Sequence, residues 1–318
     1  MPRMNVVRRI ASVSDRTIER LTKAGLLILA IGIPVFGVFY YLDQRVDGGP
    51  KLLDRQVAAA EAAVRKQPGN VALRVTLAQF YQEAKQFDGA LGQYDEILKA
   101  DAKNKGALLG RGHVLVQLDD DERAAAAFQQ VIAVAKDGEF AGSDSQLQEA
   151  YYNLASVKLT QGQDAQAVEA VEAALRIDPT DADAFYLLGT AAIKAGQPAR
   201  AVVALRQATR FVPTGWCAPY EELNRAYTTL GRAPQAAYAG GMTALCQEEP
   251  AEARRLLEPL VTGPVAIDAM TGLAMTAESE FDRAGAIRWY RKVLAADPKN
   301  FTATSGLSRL GAAPQGGN

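Results

Sequence analysis

An all-α solenoid of helical hairpins, preceded by one transmembrane helix, is the fold this sequence predicts. Three observations predict it. Residues 24–42 carry no charged side chain. Pro179 and Pro213 stand 34 residues apart and close similar helix ends. The composition is alanine-rich and helix-prone, with one His and two Cys in 318 residues. That pool is too small for a Cys/His zinc site, which needs about four ligands. With 35 Lys and Arg against 36 Asp and Glu, the charge balance gives no support to a nucleic-acid role.

The first element is the uncharged run. Taken with Leu21 and Thr22 it approaches ~20 residues, enough to cross a bilayer core of ~30 Å. Tyr40 and Tyr41 sit at one end, where amphipathic rings favour the membrane interface. Pro34 falls near the middle and is tolerated in a membrane span, as a kink. A cleaved signal would have a shorter apolar core and a small-x-small cleavage site, whereas this run ends in "YYLDQR". An uncleaved anchor over 21–42 is the expectation; a cleaved signal and a soluble buried helix are the alternatives. Basic residues set orientation. Six precede the span (Arg3, Arg8, Arg9, Arg16, Arg20, Lys23) and three follow closely (Arg45, Lys51, Arg55). Residues 1–20 should therefore stay cytoplasmic. A linker at 43–50 then leads to a solenoid over 51–310 outside the cytoplasm, and 311–318 is expected to be a disordered tail.

Beyond Arg45 the chain repeats. "ALRIDPTDADAFYLLG" (174–189) and "VLAADPKNFTATSGLS" (293–308) share an apolar helix end, Asp-Pro, polar residues and a new helix start. Proline lacks an N–H and disfavours helix in the residue before it. Asp181, Asp183 or Asn300 can then cap the next helix. Small residues recur where antiparallel helices must approach: Ala155, Ala167 and Ala174; Gly189, Ala201 and Ala208; Ala274, Ala286 and Val293. This pattern resembles the tetratricopeptide repeat (TPR), a helix–turn–helix unit of about 34 residues. The resemblance spans roughly 71–309, with units at 71–104, 105–138, 148–181, 182–215 and 267–300 and a half unit ending at Pro68. It implies a right-handed superhelix with a concave groove.

Two spacings depart from the period. Pro68 to Pro179 is 111 residues, nine more than three periods, and the loop "EFAGSDSQL" (139–147) accounts for them. Pro213 to Pro298 is 85 residues, two and a half periods. One odd helix therefore lies within 216–266, with helices expected at 217–230, 233–246 and 250–262. An odd helix exchanges the two faces of a solenoid unless it packs outside the stack. The Gly240-Gly241 pair marks either close backbone approach or a break.

Cys217 and Cys246 reach the same end of the hairpin that turns near Gly231. A disulfide is expected between them, provided the α-carbons come within ~7 Å; two ordinary buried thiols are the alternative. Closing that loop stabilises by about 3.6 kcal/mol on the chain-entropy argument. Disulfides persist outside the cytoplasm, in agreement with the expected orientation.

Nothing marks a catalytic constellation. His113 lacks an evident carboxylate and nucleophile. The glycines of "GALLGRGH" (106–113) lack the strand and the Gly-Lys-Ser/Thr ending of a phosphate loop, and Gly112 reads as a helix-packing position. "LDDDER" (118–123) reads as a solvated turn. The chain is expected not to be an enzyme and to hold no cofactor or metal. The resemblance instead implies a groove lined by Gln79, Gln82, Glu83, His113, Gln117, Tyr152, Ser156, Tyr186, Thr190, Lys194 and Arg225. Tyr152 and Tyr186 lie one period apart, and their alternative role is packing against neighbouring helices. The Lys/Asn clamp of the sub-family that binds acidic chaperone tails is missing; Val75 and Gln79, Leu109 and His113, and Tyr152 and Ser156 stand in its place.

The expected function is a membrane-anchored scaffold on a bacterial cytoplasmic membrane. Its groove would bind partner proteins, either membrane-complex subunits or exported polypeptides, during assembly or maturation of an envelope complex. The alternative is a regulatory or targeting subunit of an envelope enzyme whose catalysis lies in another chain.

Overall fold

The computed structural model describes residues 23, 33–36, 52–212 and 215–313. No helix among them is long and apolar enough to cross a membrane. The expected anchor at 21–42 lies outside the described residues except Lys23 and 33–36. The latter form a helical turn with exposed Ile33, Val35 and Phe36. The expected segments 1–20 and 43–50 also lie outside them. All regular structure in the described residues is helical.

The chain divides into two compact units, the first ending at Gln86 and the second starting at Phe87. The first contains α1 (Leu52–Lys66) and α2 (Val71–Glu83). The turn at Pro68 separates them, and Asn70 restarts the helix by accepting a hydrogen bond from the Leu73 N–H at 3.2 Å. Val57, Val64 and Leu77 form its buried centre, and the Tyr81 O–H donates to Glu61 at 2.9 Å.

Among the described residues the second unit runs through thirteen α-helices: α3 (Phe87–Ala100), α4 (Lys105–Gln117), α5 (Asp121–Ala135), α6 (Ser145–Thr160), α7 (Asp164–Ile177), α8 (Ala182–Lys194), α9 (Pro198–Phe211), α10 (Ala218–Thr229), α11 (Ala233–Cys246), α12 (Pro250–Leu257), α13 (Ala266–Ser279), α14 (Arg283–Ala296) and α15 (Phe301–Arg309). Each helix packs on the next, because a two-helix unit buries its apolar face only against neighbours. The small residues named from the repeat are all buried where helices cross. At Gly112 a methyl group would lie 2.5 Å from the Phe128 ring, so this glycine is a packing position. Asp181 and Asn300 cap α8 and α15, accepting from Ala184 N–H at 2.9 Å and Ala303 N–H at 3.0 Å. Asp183 lies inside the first turn of α8 instead.

The loop expected over 139–147 is shorter than its composition suggests. Residues Ala141–Ser143 form a 3-10 turn, and Asp144 caps α6 by accepting from Gln146 and Leu147 N–H. Ser145, Gln146 and Leu147 are therefore helical. The Lys105 ammonium donates to Asp144 at 2.5 Å and holds its carboxyl below the usual range. At the other end, Ala312 packs on the last hydrophobic cluster and its N–H reaches the Leu307 carbonyl at 2.9 Å. Residues 314–318 lie outside the described residues.

The way each helix ends resolves the odd spacing. First helices of the repeat end in a left-handed residue whose N–H bonds three residues back, while the next N–H bonds five residues back. This pattern ends α2, α4, α6, α8, α10, α13 and α15. Second helices such as α7, α9 and α14 end on a single bond to the carbonyl four back, at Asp178, Val212 and Asp297. Helix α11 is the second partner of α10, yet it ends like a first helix. Glu248 has φ +62, its N–H bonds Leu245 O at 3.2 Å, and Glu249 N–H bonds Ala244 O at 2.9 Å. Thus α11 serves as second helix of one hairpin and first helix of another, and α12 is the odd element. Its regular part stops at Leu257 and a 3-10 turn, Glu258–Leu260, finishes it. The Gly240-Gly241 pair does not break α11. It marks close approach: a methyl group at Gly241 would lie 2.7 Å from the Leu257 side chain.

Four of the left-handed turn residues are not glycine: Lys85, Asp119, Glu248 and Phe281. A left-handed conformation costs an L-residue roughly 1–2 kcal/mol. Phe281 is 95% exposed and so contributes little packing in return. Phe281→Gly is expected to stabilise the second unit by ~0.5–1 kcal/mol, after allowance for the freer unfolded chain. Urea denaturation checks this, and an unchanged or lower midpoint would reject it.

Candidate functional site

The first helices α4, α6 and α8 lie side by side within the second unit, because each hairpin stacks one period along. This brings several of the expected groove residues together. The His113 ring sits against Phe128 at 5.7 Å. Its Nε2 lies 3.1 Å from Asn153 Nδ2 and 3.3 Å from a Glu149 carboxylate oxygen, both on α6. Asn153 also donates to the Glu149 carbonyl at 2.9 Å. Tyr152 is half-buried; burial first, then the α8 carboxylates Asp183 and Asp181, push its phenol above the usual value. At neutral pH it is a neutral donor.

On α8, Tyr186 lies 5.1 Å from the Trp216 ring, and Thr190 donates to the Tyr186 carbonyl at 3.1 Å. Ser156 is half-buried, and Gln117 and Lys194 are exposed. Arg225, exposed on α10, is paired with Glu222 at 2.9 Å. Gln79, Gln82 and Glu83 stand on α2 in the first unit and belong to that body alone. Trp216, Asn153 and Glu149 were not legible from the resemblance. Their roles arise from contacts between segments some 30 to 40 residues apart.

A second concave feature lies elsewhere in the same unit. A cleft of about 1050 Å³ is lined by α9, α10 and α11 from before the odd helix and by α13 and α15 from after it. In repeat terms α9 is a second helix, whereas α13 and α15 are first helices. Their meeting around one cleft is the face exchange that an odd helix imposes. Tyr220, Tyr227 and Met242 are buried in its floor. Glu278 accepts from Arg309 at 2.8 and 3.0 Å and from the Tyr290 O–H at 2.5 Å. Burial raises the Asp268 carboxyl, with Arg206 acting against the rise. Burial also holds the Tyr238 phenol well above its ordinary value. Sequence reasoning found none of these residues. The available signal was Pro250 at the first turn of α12. Proline takes the same first-turn position in α9, α10 and α11, at Pro198, Pro219 and Pro234.

Among the described residues no group of three or more His, Cys, Asp and Glu side chains could hold a metal ion. Nothing in either surface points to catalysis. The arrangement is that of a helical-repeat scaffold for protein interaction.

Two family models described as tetratricopeptide repeat match residues 75–140 and 158–223, and the chain carries tetratricopeptide repeats. The solved structure of MamA protein is 22% identical, covering 57% of this chain and 94% of that one with a TM-score of 0.51. YrrB, described as a TPR protein with an unusual peptide-binding site, is 17% identical over 64% of this chain and 99% of its own, with a TM-score of 0.51. The C-terminal part of a TPR repeat-containing protein from Cytophaga hutchinsonii is 19% identical over 79% and 93%, again with a TM-score of 0.51. At these identities the likeness shows the fold alone. Among curated proteins, the general transcriptional corepressor ssn6 of Schizosaccharomyces pombe is 29% identical over 126 residues, or 40% of this chain. The chain spans 11% of that relative's length.

Proposed function

We propose that this chain is a membrane-anchored TPR scaffold facing the extracytoplasmic side of a bacterial cytoplasmic membrane, where it holds partner proteins during assembly or maturation of an envelope complex. The observation that carries the binding role is that His113, Tyr152 and Tyr186 stand half-buried on the neighbouring first helices α4, α6 and α8, with the Trp216 ring 5.1 Å from Tyr186. Half-buried aromatic rings interleaved with polar groups suit an extended polypeptide. The uncharged run at 24–42 and the excess of basic residues before it support the anchor and its orientation. The Cys217–Cys246 disulfide, whose α-carbons lie 5.4 Å apart, supports an oxidising compartment.

The test is cross-linking in cells, detergent extraction through a tag after Asn318 and mass spectrometry, comparing wild type with Tyr152→Ala/Tyr186→Ala. Loss of one or two membrane-complex subunits from the variant is the expected result. An unchanged partner list would reject the groove. A reporter fused after Asn318 that is active only when of the cytoplasmic type would reject the orientation.

A further inference from the structure

We propose that the cleft created by the odd helix is a second polypeptide-binding site, distinct from the first-helix groove, and that it takes an extended segment of a partner protein in which acidic and apolar residues alternate.

Charge supports this occupant. Arg206 and Arg210 stand one turn apart on α9, exposed in the cleft lining. Among the described residues neither makes an ion pair within 4.0 Å; the third arginine in the lining, Arg309, is held by Glu278. Of the two carboxylates in the cleft, Glu278 is therefore occupied, which leaves Asp268 against two guanidinium groups. The unit that holds it is acidic: residues 87–318 carry 22 Lys and Arg against 29 Asp and Glu. A cationic cleft on an acidic body selects an anion.

Spacing and apolar surface specify the anion further. Residues four apart on a helix stand ~6 Å apart, and alternate residues of an extended chain ~6.7 Å apart. Two carboxylates at positions i and i+2 therefore match the Arg206–Arg210 row. In an extended chain the intervening side chains point the other way. The lining from α13 and α15 offers them Met275 and Phe301, the latter 82% exposed. An exposed apolar patch rimmed by polar groups marks an interaction surface.

The experiment is fluorescence anisotropy with the full chain in detergent. The probe is a labelled peptide, acetylated and amidated, in which Asp and Glu alternate with Leu and Phe. Its control replaces Asp and Glu by Asn and Gln. The acidic probe should bind, and more weakly as salt rises. Arg206→Glu/Arg210→Glu, whose circular dichroism should match wild type because both side chains are exposed, should weaken binding at least ~10-fold. Tyr152→Ala/Tyr186→Ala should leave it unchanged, which separates this site from the groove. Equal binding of the neutral control would overturn the proposal, as would indifference to charge reversal or loss in the tyrosine variant. So would binding only by a version with a free C-terminus. Dimerisation abolished by the charge reversal would assign the cleft to a second copy of the chain and likewise overturn it.

Discussion

Replacing Leu257 with alanine is expected to uncouple the last three helices from the rest of the second unit. Leu257 is fully buried at the end of α12. It fills the space between two glycines: a methyl group would lie 2.7 Å from its side chain at Gly241 on α11, and 2.9 Å at Gly272 on α13. Both neighbours are helical backbone and cannot collapse into the gap, so the cost should fall in the upper part of the leucine-to-alanine range, ~3–5 kcal/mol. In a stack of repeats stability is a sum of unit and nearest-neighbour terms. Loss of this interface should therefore split unfolding into two transitions. The two tryptophans permit a direct test, because Trp216 precedes α10 and Trp289 lies in α14, partly packed on the Leu257 cluster. With Trp216→Phe as background, Trp289 fluorescence should report unfolding at lower urea than far-ultraviolet circular dichroism. Coincident curves at the wild-type midpoint would contradict the role given to Leu257.

Removing the disulfide is the second large effect expected. It joins the residue before α10 to the last residue of α11 and closes a loop with a sequence separation of 29. Constraint of the unfolded chain by such a loop gives about 3.6 kcal/mol, and measured losses of native disulfides run ~2–5 kcal/mol. Cys217→Ser/Cys246→Ser should lower the stability of the second unit by ~2–4 kcal/mol and abolish any response to dithiothreitol. Wild type should lose the same amount in dithiothreitol. The α10–α11 hairpin is the platform on which α12 turns, so acidic-probe binding in the cleft should weaken with it. Equal stability of oxidised wild type and the serine variant would show that the bond adds nothing to the native state.

Much of this architecture was legible locally. Asp-Pro at 178–179 and 297–298 stopped helices because proline cannot continue one, and Asp181 and Asn300 restarted them because their side chains accept backbone N–H groups. The alanines and glycines at helix crossings followed from the same period. The cysteines faced each other because a hairpin returns the chain to its starting end. Where composition misled, a competing local signal was present. Gly, Ser and Asp in 139–147 suggested loop, yet Asp144 followed by Ser145 is a helix start. Of the expected groove, the second unit brings His113, Tyr152 and Tyr186 onto adjacent helices. Their partners Asn153, Glu149 and Trp216 are fixed by stacking between hairpins, for which a single repeat carries no signal.

By itself the sequence determined the helix boundaries punctuated by Asp-Pro and the caps that follow it, the repeat that stacks the helices, and the pairing that a hairpin permits between Cys217 and Cys246. These depend on neighbours a few residues away or on one fixed period. Tertiary structure alone decided what the half period between Pro213 and Pro298 does. Helix α11 ends as a first helix, α12 closes over it through Leu257, and the faces exchange beyond that point. Only then do Arg206 and Phe301, 95 residues apart in the chain, line one cleft. That outcome rests on which surface of α11 the eight residues of α12 cover, a choice made by packing between helices and by no local propensity.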